Sequence, residues 1–106
     1  MVVSILTRKT GVKDREQWWS RLEGALPKIT KVLEGEPGFI AVQYLWGAQG
    51  DGEMGQITRW ETLADCLRYV REGGAATVAL HEDRAIPTAP YPDGAWVRRT
   101  FEVVEV

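Results

Sequence analysis

Eight consecutive residues, Phe39 to Trp46, carry bulky apolar side chains at both odd and even positions. Side chains alternate between the two faces of a strand. By that rule Phe39, Ala41, Gln43 and Leu45 share one side, and Ile40, Val42, Tyr44 and Trp46 share the other. A sheet with one wet face alternates apolar and polar residues cleanly, whereas this strand asks to be covered on both sides. The chain has 106 residues, which sets one domain over 1–106 and leaves no room for a second. Helices from within the chain can cover one face only, so the other is expected to need a partner.

The flanking sequence supplies the rest of the framework. Val2 to Arg8 is short and aliphatic, as a first strand should be. Asp14 and Gln17 have capping-box spacing, and behind them Trp18, Leu22, Leu26, Ile29 and Leu33 form one helical face. Pro27 inside that face predicts a kink or break, and Gly35 with Pro37 predicts the stop. Gly47, Gly50, Asp51 and Gly52 make a turn, and Met54 to Trp60 returns as the other arm of a hairpin. Thr62 and Asp65 open a second helix with Leu63, Leu67 and Val70 inward and Cys66 alongside. Gly73-Gly74 interrupts it, Ala75 to Arg84 forms a further helical stretch, and Trp96 to Val106 is the closing strand.

The order is β-α-β-β-α-β, a ferredoxin-like α+β arrangement. Right-handed crossovers put both helices on one face of a four-stranded antiparallel sheet. The bare face then carries Ile40, Val42, Tyr44 and Trp46, which are assigned to a homodimer interface. Exposing such side chains costs roughly 1.5–3 kcal/mol each, and a two-fold pair is the common remedy.

Other classes are disfavoured. The net charge is -2, with 13 basic and 15 acidic residues, and no basic stripe suited to nucleic acid is visible. One cysteine and one histidine build no metal site of the usual kind, so no metal is expected. No apolar run reaches membrane-spanning length, and the start lacks a signal-peptide pattern, which predicts a soluble cytoplasmic protein.

Three local features carry a family resemblance. Pro37-Gly38-Phe39 matches a turn from first helix to second strand, and Trp60-Glu61-Thr62-Leu63-Ala64 resembles a pattern joining third strand to second helix. Phe101-Glu102-Val103-Val104-Glu105 resembles a closing strand. With the element order, these features resemble the antibiotic biosynthesis monooxygenase-like domains of the dimeric α/β-barrel superfamily. The resemblance implies two sheets packed face to face and a pocket between sheet and helices in each protomer. It implies a cofactor-independent oxidation of an aromatic or quinol-like compound, with no bound cofactor. The alternatives are a non-catalytic binding module for a small hydrophobic metabolite, and haem binding or degradation. In the haem-degrading members an asparagine, a tryptophan and a histidine matter. Their positions fall near Thr7, near Tyr69, and within a residue or two of His81.

His81, the only histidine, is a candidate base because histidine is the residue type suited to proton transfer near neutral pH; the competing reading is a surface side chain. Tyr69 is a second catalytic candidate. Trp60 and Thr7 are candidate pocket residues, although for Trp60 the reading as a core tryptophan closing the sheet takes precedence. Trp18 and Trp19, being adjacent, cannot both point inward, so one should cover a rim. Cys66 reads as a small buried hydrophobe.

Overall fold

A computed structural model describes all 106 residues. Its elements are β1 (Val2–Lys9), α1 (Arg15–Glu34), β2 (Phe39–Trp46), β3 (Glu53–Trp60), α2 (Leu63–Arg71), α3 (Ala75–Ala85) and β4 (Val97–Glu102). The strands form one antiparallel sheet in the order β2-β3-β1-β4. The architecture is the ferredoxin-like α+β fold expected from the sequence, with the second helical region split at Gly73-Gly74 into α2 and α3.

The core lies between the helices and one sheet face. From β1 it takes Val2, Ser4, Leu6 and Arg8, and from β3 Met54, Gln56, Thr58 and Trp60, all buried. Each set is spaced by two, so each strand turns one whole side toward the helices. Helix α1 contributes Trp18, Leu22, Ile29 and Leu33, and α3 contributes Ala75, Val78 and Glu82. Burying a large aliphatic side chain such as Leu22, Ile29 or Leu33 stabilises the fold by roughly 1.5–3 kcal/mol.

Several details depart from expectation. Helix α1 runs through Pro27 as one element. Pro27 sits on the exposed side, as does Glu23 four residues earlier, so the carbonyl deprived of its N–H partner faces water. Asp14 caps α1 by accepting from the Glu16 amide at 3.1 Å, and Gln17 takes no part in that bond. In α2 the buried residues are Cys66 and Tyr69, not Leu63, which is half exposed. The helix is turned so that Tyr69 lies on Trp60, with ring centroids 4.7 Å apart. Strand β4 stops at Glu102 because Glu102 pairs with Val2, the first residue of β1, and the chain beyond has no strand left to pair with.

Strand β2 needs the largest correction. Phe39 pairs with Trp60 while Ala41 pairs with Arg59, so Ile40 is an extra residue bulged out of the ladder. The bulge brings Phe39 onto the same face as Val42, Tyr44 and Trp46, and that face packs against the core under the helices. Ile40, Val42, Tyr44 and Trp46 therefore do not form a shared bare face. The uncovered side of the sheet is instead built from Val3, Ile5 and Thr7 of β1, Ala41 and Leu45 of β2, Ile57 of β3, and Val97 and Phe101 of β4. Val97 and Phe101 are 54% and 47% exposed.

The turn before β2 depends on Gly38, whose φ of 80° is a left-handed conformation that favours glycine. A side chain there would also collide with Asp65 of α2, which the cap residue Thr62 holds in place. The start of β2 and the start of α2 are thereby locked together.

Candidate functional site

The first turn of α1 and the β2–β3 hairpin enclose an open cleft of about 650 Å³. Its aromatic wall is made by Trp18, Trp19, Tyr44 and Trp46, and Lys13, Asp14 and Arg15 stand at its rim. Trp18 stacks on Trp46 with centroids 5.0 Å apart and planes 25° from parallel. Trp19 is only half buried and tilts against Trp18 at 6.0 Å, which puts it at the rim, as adjacency on a helix requires. The buried Trp18 indole N–H has no hydrogen-bond partner.

Tyr44 connects this wall to polar groups inside the protein. The Gln56 side-chain amide donates to the Tyr44 hydroxyl at 3.3 Å and to Glu82 Oε2 at 2.7 Å. Glu82 has no exposed surface, and its other oxygen, Oε1, has no partner. Burial raises the Glu82 carboxyl from its ordinary 4.5 to about 7, against the opposing pull of Tyr44, Gln56 and Arg8. Burial likewise raises the Tyr44 hydroxyl well above its usual value, and the neighbouring Glu82 charge adds to the shift. An acid near neutrality and a strongly held phenolic proton thus share one amide.

Arg8 closes the far side of this cluster. Its guanidinium donates to the Ile86 and Pro87 carbonyls at 3.2 and 3.4 Å, and its Nε lies 3.4 Å from Asp83. It also sits over the Trp96 ring at 4.8 Å. These contacts fasten the segment after α3 to β1, which holds α3 and Glu82 against the sheet.

The residues singled out in the sequence are scattered relative to this cleft. Trp60 is fully buried, its indole N–H donating to Thr58 Oγ1 at 2.9 Å, so it closes the core and lines no cleft. Tyr69 is buried against it, and burial raises its hydroxyl pKa. Thr7 lies on the opposite, uncovered face beside Ile5, Val97, Arg99 and Phe101. His81 is half buried on α3 and lines none of the larger clefts. The polar cluster sits one residue further along, at Glu82. A signal for it existed, because Ala75, Val78, Glu82 and Ile86 recur at helical spacing with one acid among apolar residues. Gln56 likewise interrupts the inward row of β3.

No protein-family model and no curated protein matches this sequence. Solved structures do. SnoaB, a cofactor-independent oxygenase from Streptomyces nogalater, shares 17% identity over 99% of this chain and 95% of its own, with a TM-score of 0.62. An antibiotic biosynthesis monooxygenase is 11% identical over 99% of this chain and 100% of its own, with the same TM-score of 0.62. The chain has the antibiotic biosynthesis monooxygenase fold. A variant of MhuD, solved with two manganese protoporphyrin IX molecules bound per active site, has this fold too. It is 21% identical over 100% of this chain and 97% of its own, with a TM-score of 0.66. The likeness at these identities is one of fold.

Within this antibiotic biosynthesis monooxygenase fold, the residues of the present chain do not fit a haem. Thr7 and Tyr69 stand on opposite sides of the sheet, Tyr69 is sealed in the core, and His81 faces no larger cleft. No helix is long and apolar enough to cross a membrane.

Proposed function

We propose that this protein binds a flat aromatic or quinol-like molecule in the tryptophan-walled cleft and oxidises it in a monooxygenase-like reaction. The observation that carries the reading is Tyr44, which lines the cleft and reaches a buried carboxyl through Gln56. Tryptophan faces favour offset stacking on a planar ligand. A concave, partly apolar site with a few converging polar groups is the usual form of a small-molecule site. The likeness in fold to a cofactor-independent oxygenase supports the same reaction class by analogy.

A non-catalytic binding module needs only the stacking wall. The buried polar cluster behind Tyr44 favours catalysis over it, because a binding site gains nothing from a carboxyl held away from water. The protein is further proposed to act as a homodimer, paired through the uncovered sheet face of Val3, Ile5, Ile57, Val97 and Phe101 and not through the Val42–Trp46 side of β2.

Titrating the protein with phenols and hydroquinones, while following tryptophan fluorescence and oxygen uptake, tests the reading. Saturable quenching accompanied by oxygen consumption is expected. Trp46→Ala should weaken ligand binding by about 1 kcal/mol or more through the lost stacking partner. Quenching without oxygen uptake would convert the protein to a binding module, and no quenching by any planar ligand would remove the cleft from consideration.

A further inference from the structure

Resting on that reading of the cleft, we infer that its ligand carries a carboxylate or similar small anionic group, held at the rim by Lys13 and Arg15. The aromatic wall selects a planar ring, and the two cations select among planar rings.

The rim has one acid, and it is already committed. Asp14 lines the cleft between the two cations. Its Oδ1 accepts from the Glu16 amide at 3.1 Å, which ties that carboxylate to the start of α1. The ion pairs of the fold join Arg8 to Asp83, Arg15 to Glu16 and Arg68 to Asp65. Lys13 belongs to none of them, so its ammonium stands at the cleft without a carboxylate partner. Arg15 reaches Glu16 at 3.1 Å, but the two side chains are 64% and 79% exposed. A pair so open to water is worth little, and a ligand carboxylate can displace it at small cost. The hairpin lining, Gly47, Ala48 and Gly50, and the aromatic wall add no charge of either sign.

Charge at the rim runs against that of the molecule. The net charge of the chain is -2, so a general field does not gather anions, and a preference for them has to arise from groups at the cleft itself. The two cations offer different things. Arg15 presents a planar fork that matches both oxygens of a carboxylate, whereas Lys13 is a point charge on a flexible stem that adapts to ligand length. The rings supply most of the contact area. The rim supplies discrimination between a charged ligand and a neutral one of the same shape.

Homogentisate, a hydroquinone with a carboxymethyl arm, and its uncharged amide differ in that one charge. Tryptophan quenching under nitrogen gives both affinities without turnover. The proteins are the wild type, Lys13→Met combined with Arg15→Met, and Lys28→Met. Lys28 is an exposed cation on α1 that lines none of the larger clefts. The wild type should bind the acid about fivefold tighter than the amide at low salt, the most that exposed charges of this kind supply. That preference should shrink toward equality at about 0.5 M salt. It should vanish in the double variant and persist in Lys28→Met. Each protein is read as a ratio of two ligands, so a general loss of folding cannot imitate the result. Equal wild-type affinities overturn the inference and leave the cleft intact. A preference that survives in the double variant overturns it too. Absence of quenching by either ligand overturns the cleft and the inference together.

Discussion

Glu82 makes the stability of this fold depend on pH, because its carboxyl is shut away from water. Its folded-state pKa is raised from 4.5 to about 7. A raised pKa means that the folded form binds the proton more tightly, so the contribution is fully present below 4.5, falls as pH rises, and is gone above 7. The penalty at pH 8 amounts to roughly 3 kcal/mol, at 1.36 kcal/mol for each unit. Glu82→Gln is neutral at every pH and keeps an oxygen for the Gln56 amide. Its urea-unfolding free energy should exceed the wild type's at pH 8 by up to roughly 3 kcal/mol, and the two should converge toward pH 4.5. A constant difference across that range would show that the carboxyl is not held protonated by the fold. At this scale the sequence was half legible. His81 drew attention because histidine titrates near neutrality unaided, but burial moved its neighbour into the same range. Burial of that kind comes from β1, β2 and β3 meeting α3, which no local pattern records.

Elements were read more securely than their orientations. All four strands and the helical segments follow from periodicity and from the Gly and Pro punctuation, which are local properties. Which side of α2 faces inward depended on Trp60 offering its ring to Tyr69, a contact between distant parts of the chain. The bulge at Ile40 was hidden for a similar reason, since pairing with β3 and not composition decides which residue is the extra one. Pro27 shows the reverse case, in which a strong local signal is muted by its surroundings. Its missing hydrogen bond lies on the wet side of α1, so the helix continues at a cost in stability. Pro27→Ala restores an N–H for the Glu23 carbonyl. It should raise unfolding free energy by about 2 kcal/mol, the propensity gain less the greater freedom of the unfolded chain. An unchanged urea midpoint would mean that α1 already bends to relieve the proline.

For the molecule as a whole, the sheet has two unlike sides. One is sealed by helices and holds the polar cluster; the other presents Ile5, Ile57, Val97 and Phe101 to solvent in a single chain. The residues of β2 suggest a partner from sequence alone, but Val42, Tyr44 and Trp46 pack toward the helices, so the uncovered face is a different one. The patch that remains is built largely from β1 and β4. A charge at its centre cannot be buried cheaply. Phe101→Asp should therefore convert dimers to monomers by light scattering at micromolar concentration, while far-ultraviolet circular dichroism stays unchanged. Monomeric wild-type protein under the same conditions would end the pairing proposal.

The cleft draws every one of its lining residues from positions 13 to 50 of one chain, and Glu82 comes from the same chain. Two copies joined back to back would each own a complete site, with a full sheet thickness standing between ligand and neighbour. Occupancy of one should go unnoticed by the other, giving simple hyperbolic saturation and a Hill coefficient of about one.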